Sequence, residues 1–208
     1  LCGVMGRFDR HLGHIEDVLG HKTDANRLAT VNALMLEGRT LFIADTYINE
    51  DPTAEELAQI AKLAAQEVQR FGLPPKVAFL SHSNYGSSTR KSALKMRAAR
   101  DLFAAANPDI ECDGEMHGDA ALDEDVRERT LIESSLTGEA NVLICPNLDA
   151  ANILFNVLKT TASHGTTIGP ILLGSEAPAH VLTPSSTVRR VVNMTALVAA
   201  QAQARKEG

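Results

Sequence analysis

Apolar and polar positions along this chain alternate between two periods. The run RTLFIADTYIN (39–49) is rich in apolar and β-branched residues and ends in polar ones, the pattern of a buried strand. A helix is expected next. In DPTAEELAQIAKLAAQEVQRFGLPP, Thr53 and Glu56 stand at capping-box spacing, so the hydroxyl takes an end N–H while the carboxylate reaches back. Leu57, Ile60, Ala61, Ala64, Val68 and Phe71 then share one helical face, and Gly72 with Pro74 and Pro75 stops the helix.

The alternation continues to the end of the chain. KVAFLS (76–81) predicts a strand, SHSNYGSSTRK a polar loop, and Ser92 to Ala106 an alanine-rich helix. A strand around DIECDGEM (109–116), a helix from about Asp119 and the strand NVLIC (141–145) follow, then a helix after Asp149, the strand TIGPILLG (167–174) and a last helix from about Ser186. This order predicts an α/β fold, a mostly parallel sheet covered by helices. Residues 1–38 show no period clear enough to assign.

Composition narrows the function. At 208 residues the chain can bury a substantial core as one large α/β domain or two joined lobes. Cys2, Cys112 and Cys145 are odd in number and widely spaced, with no C-x-x-C pair, and read as reduced thiols. No apolar run approaches the roughly 20 residues that cross a bilayer, and no signal peptide is visible, so a cytoplasmic protein without membrane contact is expected. A net charge of −6 argues against nucleic-acid partners. The opening LCGVMGRF, without an initiator methionine, suggests a fragment of a longer polypeptide.

In parallel α/β sheets ligands collect where strands end and helices begin. The loop SHSNYGSS presents Ser81, Ser83, Asn84, Ser87 and Ser88, with Gly86 allowing close backbone approach, and suits either a phosphate or an ordinary polar turn. It is not a P-loop, because G-x-x-x-x-G-K-[ST] is absent. CDGEMHGDAAL gathers Asp113, Glu115, His117 and Asp119. A divalent ion is one reading; the favoured one makes Gly114 and Gly118 turn residues and Asp119 a helix cap, leaving no metal site. His11 and His14 would share a face if their segment is helical, but two histidines without a third ligand read as surface residues. No G-x-S-x-G elbow or G-x-G-x-x-G fingerprint is present, and Cys145, inside an apolar run, reads as packing.

Four stretches taken in order resemble the phosphate acetyltransferase (phosphotransacetylase) family: ADTYINEDPTAEELAQIA, VAFLSHSNYGSS, DGEMHGDAAL with ANVLICPNLDAANILFNVLK, and GPILLG leading to the terminal helix. The match runs from about Leu41 to Gln203. It implies a two-lobed fold akin to isocitrate and isopropylmalate dehydrogenases, N-terminally incomplete here, with coenzyme A between lobes at about 1–45 plus 186–208 and about 46–185. Active members carry L-S-R-G-x-x-x-x-D-I-V after the last strand: serine and arginine stabilise charge on the acetyl group, and aspartate takes the thiol proton. In LTPSSTVRRVV the serine position holds Thr183, the arginine position Pro184 and the aspartate position Arg190. Proline has no side-chain donor, and arginine cannot accept a proton at neutral pH. Little or no acetyl transfer is therefore expected, and no catalytic residue is assigned.

The variant HVLTPSSTVRRVVNM, with LCGVMGRFDRHLGHIEDVLG, is more similar to the phosphotransacetylase-like C-terminal domains of large bacterial NADP-dependent malic enzymes. That resemblance implies an acetyl-CoA-responsive regulatory and oligomerisation domain. NADP and a divalent Mg or Mn ion would belong to a malate-oxidising part not present here, and no cofactor to this part. It also implies a homodimer through this domain and a higher homo-oligomer of the full-length enzyme. The alternative is a phosphate acetyltransferase with altered catalytic residues; a third is a structural dimerisation module with an empty cleft. If acetyl-CoA binds, the expected contacts are the loop Ser81–Ser88, the turn at Ile168, Gly169 and Pro170, the segment Thr183 to Ser186 including Ser185, and Arg190. Arg190 and Arg189 are equally read as solvated or intersubunit residues.

Overall fold

The computed structural model describes residues 1–22, 25, 27–130, 134–162 and 165–207. Strands β1 (Ala29–Leu36), β2 (Arg39–Ala44), β3 (Lys76–Leu80), β4 (Glu111–Met116), β5 (Val142–Ile144) and β6 (Thr166–Leu173) form one sheet in the order β4-β3-β5-β2-β1-β6. Helices α1 (Phe8–Leu19), α2 (Ala54–Arg70), α3 (Lys91–Ala106), α4 (Gly118–Leu122), α5 (Glu124–Thr130), α6 (Leu148–Thr161) and α7 (Val188–Glu207) complete the described elements.

Strand alternation assigns side chains to two layers. Phe42, Ala44, Val77, Phe79, Val142 and Ile144 face α2 and α3, where Leu57, Ile60, Ala64, Val68, Met96 and Phe103 close the larger core. Ile43, Ala78, Leu80, Leu143 and Cys145 point the other way, onto Ala120 and Ala121 of α4 and Ala151 and Phe155 of α6. Burial on both faces explains why these strands read as continuous apolar runs. The capping box forms as expected: Thr53 Oγ1 accepts from Glu56 N, and the Glu56 carboxylate accepts from Thr53 N.

The sheet is mostly parallel, as expected, since β2–β5, β3–β5 and β3–β4 pair in parallel, but β1 departs from the pattern and is antiparallel to both β2 and β6. The cause lies in the unassigned first 38 residues, since only Glu37 and Gly38 join β1 to β2, and a two-residue connection can link only antiparallel strands. Gly38 supplies the positive φ, 79°, that such a turn needs. The strand predicted over 39–49 also ends early, at Ala44. The Asp45 carboxylate accepts the N–H groups of Tyr47 (3.2 Å) and Asn49 (2.9 Å), which bends the chain out of the sheet. The same carboxylate takes Thr30 N at 3.0 Å and ties this turn to β1.

Candidate functional site

Because β2 to β5 run in parallel, their C-terminal ends share one edge of the sheet, and the loop Ser81–Ser88 leaves it after β3. Glu115, fully buried in β4, organises that loop. Its carboxylate accepts the Ser83 hydroxyl (2.7 Å), Gly86 N–H (2.9 Å) and two N–H groups of Arg97 (2.9 and 3.0 Å). Burial alone would raise this carboxyl, but the bonds from Arg97, Gly86 and Ser83 outweigh it and hold it down at about 2.

The remaining polar groups of the loop close on one another. Ser83 Oγ lies 3.1 Å from Ser87 Oγ and accepts Ser88 N, Ser87 Oγ accepts Asn84 N, and Ser81 Oγ accepts Ser83 N. Asn84 Oδ1 accepts His117 N at 2.6 Å, and Ser88 Oγ lies 3.2 Å from His82 Nε2.

The acidic motif beside it is committed too. Asp113 Oδ2 accepts Ser134 Oγ (2.7 Å) and Ser135 N (3.1 Å), and among the described residues no three His, Cys, Asp or Glu side chains converge as a metal site. Gly114 has φ of 136°, and a Cβ there would lie 2.7 Å from Phe79 O, so the glycine lets β4 approach β3 closely. The cap expected at Asp119 is not made: His117 holds the N-cap position without a side-chain bond, and Asp119 falls in the first turn of α4. Cys145 packs in the core, where burial pushes its thiol up to about 12; Cys112 is pushed up to about 11 in the same way. His11 and His14 both fall on α1, and His11 Nε2 lies 2.6 Å from Met5 O.

The other predicted residues sit at the opposite side of the sheet. Ile168, Gly169 and Pro170 do not form a turn at a strand end; they lie inside β6, where Ala33 pairs with Ile168 and Val31 with Ile171. Two residues thus oppose the single Asn32, a β-bulge. Gly169, with φ of 134°, is needed there because a Cβ would fall 2.5 Å from Asn32 Oδ1. Asn32 Oδ1 is buried and accepts no hydrogen bond.

Thr183 is buried, and its hydroxyl lies 3.1 Å from Ser185 Oγ; Pro184 and Ser185 are exposed. Arg190, in the first turn of α7, contacts Thr167 Oγ1 at 3.4 Å. With Arg189, Ser185, Thr187 and Lys159 it lines a cavity of about 300 Å³. Sequence reasoning passed over Lys159, whose only signal was its place near the end of α6. Burial, and then the charge of Arg190, hold its ammonium below the usual lysine range. Burial raises the nearby Tyr47 phenol, against the pull of Arg190.

Helix α7 is fixed by a buried polar chain. Leu172 N donates to His180 Nδ1 (3.0 Å), so the imidazole proton lies on Nε2 and is given to Gln201 Oε1 (2.8 Å). Gln201 Nε2 donates to Glu67 Oε1 and Arg70 Nη1 to Glu67 Oε2, each at 2.7 Å. Desolvation holds buried His180 at about 4 and therefore neutral.

The structure thus brings the predicted residues together in two groups. Between β3 and β6 lie β5, β2 and β1, four strand spacings or about 19 Å.

Comparison with known proteins agrees with this architecture. Over 203 residues and 98% of its length the chain is 49% identical to an NADP-dependent malic enzyme of Salmonella typhimurium, of which it spans 27%. It is 35% identical to a phosphate acetyltransferase of Corynebacterium glutamicum, over 88% of this chain and 55% of that one. The crystal structure of a phosphotransacetylase from Streptococcus pyogenes superposes with a TM-score of 0.91 at 30% identity, covering 97% of this chain and 61% of that one. The chain therefore spans about a quarter of the malic enzyme and little more than half of the transacetylases. The family model for phosphate acetyl/butaryl transferases matches residues 1–199, and the chain belongs to that family.

Proposed function

We propose that this chain is an acetyl-CoA-sensing regulatory and oligomerisation domain of an NADP-dependent malic enzyme. In this reading the oxidative decarboxylation of malate to pyruvate, with NADP and a divalent Mg or Mn ion, belongs to another part of a cytoplasmic polypeptide. The observation that carries it is the junction before α7. Thr183 keeps a hydroxyl, but Pro184 and Arg190 stand where the family's chemistry needs a guanidinium and a carboxylate. A positioned base alone typically contributes about 10²–10⁴-fold, so a site without one suits binding better than turnover. We extend the proposal to a two-lobed dehydrogenase-like arrangement with the effector in its cleft.

Self-association fits the terminal helix. Val188 and Val192, one turn apart on α7, are 82% and 60% exposed, so this face offers apolar surface to a second copy.

The similarity to phosphate acetyltransferases makes acetyl transfer the competing reading. Calorimetric titration with acetyl-CoA, together with an assay of acetyl phosphate plus CoA, decides between them. Binding without turnover is expected. Turnover of about 10 s⁻¹ or more would replace the sensing role by catalysis, and absence of acetyl-CoA binding would remove the effector.

A further inference from the structure

The C-terminal part of this acidic chain is locally basic. From Ala150 to Lys206 the sequence holds five lysines and arginines and a single acid, Glu176. Glu176 is taken by Arg205, at 2.8 Å. Lys159, Arg189 and Arg190 instead converge on the cavity of about 300 Å³ under the start of α7, and among the described residues none that lines it is acidic. Nor does the sequence between Lys159 and Thr167, or between Leu182 and Arg205, contain an acid.

The partners these cations do have are neutral. Lys159 donates to Asn156 Oδ1 (2.9 Å) and lies 5.4 Å from the centroid of the Phe155 ring; the Arg190 side chain reaches the Thr167 hydroxyl. Among the described residues none of the three is paired with a carboxylate. Positive charges that share a cavity repel one another, and burial makes the repulsion stronger than in water. Such an arrangement is completed by a multivalent anion, for which the hydroxyls of Ser185 and Thr187 and the opening turn of α7 provide further donors.

We propose that this cavity binds a diphosphate group, and that the effector therefore lies reversed relative to a transacetylase substrate, with phosphate rather than acyl group next to Thr183. The inference rests on the acetyl-CoA reading for the identity of the effector, though not for the anion site itself. A thioester is neutral and gains little from three full charges, whereas the doubly esterified diphosphate of CoA, with its two negative charges, offsets most of them. Affinity then comes from this cavity, and discrimination of the acyl group from elsewhere on the ligand.

The test is titration of the 208-residue chain with inorganic pyrophosphate, inorganic phosphate, CoA and acetyl-CoA, and of the variants Lys159→Gln, Arg189→Gln and Arg190→Gln. Circular dichroism serves as the folding control. Pyrophosphate should bind more tightly than phosphate, lose at least about tenfold in affinity in each variant that folds, weaken with added salt, and be displaced equally by CoA and acetyl-CoA. No binding at about 10 mM pyrophosphate, or the same affinity in all folded variants, would overturn the site. If acetyl-CoA binds the native chain and the variants alike without displacing pyrophosphate, the reversed pose fails and the sensing role stands. If pyrophosphate binds as expected while acetyl-CoA does not bind at all, the sensing role fails and the anion site stands.

Discussion

The loop after β3 and the junction of β6 with α7 look alike as sequence: each strings serines or threonines after an apolar strand and has arginines close by. In space they are opposites. Around Ser81–Ser88 the cation of Arg97 meets the buried carboxylate of Glu115, and the hydroxyls answer one another. At the α7 end three cations face a cavity with no acid among the described residues of its lining. The contrast teaches that hydroxyl-rich loops do not by themselves mark a site. What separates a closed network from an open one is whether its charges already balance, and balance depends on residues far away in sequence, such as Glu115 for the first loop and Lys159 for the second.

The closed network should break most expensively. Replacing Glu115 by Leu leaves Arg97, Ser83 and Gly86 N–H without their shared acceptor, and a loss of about 3–5 kcal/mol is expected in denaturant unfolding. A loss under about 1 kcal/mol would mean that the loop is held by something else. Acid gives a gentler form of the same test. Since the folded carboxyl sits at about 2, below its ordinary value near 4.5, its contribution is intact above pH about 4.5 and fades as pH falls towards 2.

A smaller effect is expected under the open region, through the chain that seats α7. Folded His180 sits at about 4 against 6.5 for an exposed imidazole, so the unfolded state takes up the proton first as pH drops. Stability should be full above pH about 6.5 and fall by about 2–3 kcal/mol as pH approaches 4, a window separate from that of Glu115. His180→Phe should flatten this window while leaving the one below pH 4.5. If the pH 6.5–4 slope survives the substitution, another group is responsible.

Much of the fold was legible because α2 has a strong period with a capping box, α6 starts at the side-chain cap Asn147, and β3 and α3 follow as an apolar run and an alanine-rich stretch. Strand β1 was not, since Ala29–Leu36 includes Thr30 and Asn32, buried polar residues explained only by Asp45 and Thr46 after β2. Missing β1 meant missing the antiparallel pairings. The candidate site was readable at Thr183, Pro184 and Arg190, where a family motif fixes which residue to compare. It was unreadable at Lys159, because only the folded chain brings that ammonium to the cavity that Arg190 also lines. The bulge at Gly169 was likewise hidden, since a Gly-Pro pair inside a strand reads as a turn until the opposing Asn32 is in place.

The finest test of the contrast is a single charge removed from each region at low salt. In the closed loop, Arg97→Gln should destabilise, because it strips the buried Glu115 of its counter-charge. In the open cavity, Arg190→Gln should do the reverse and raise the stability of the ligand-free chain by about 0.5 kcal/mol. It relieves repulsion on Lys159 and sacrifices only a long contact to Thr167. About 0.5 M salt should abolish the gain, because screening acts on partly exposed charges, while leaving most of the Arg97→Gln loss in place. Addition of pyrophosphate should reverse the order of the native chain and the Arg190→Gln variant, since only the native cavity keeps all three cations for the anion. Loss of stability in Arg190→Gln at low salt would instead make Arg190 a structural partner within a second closed network, and the distinction between the two regions would disappear.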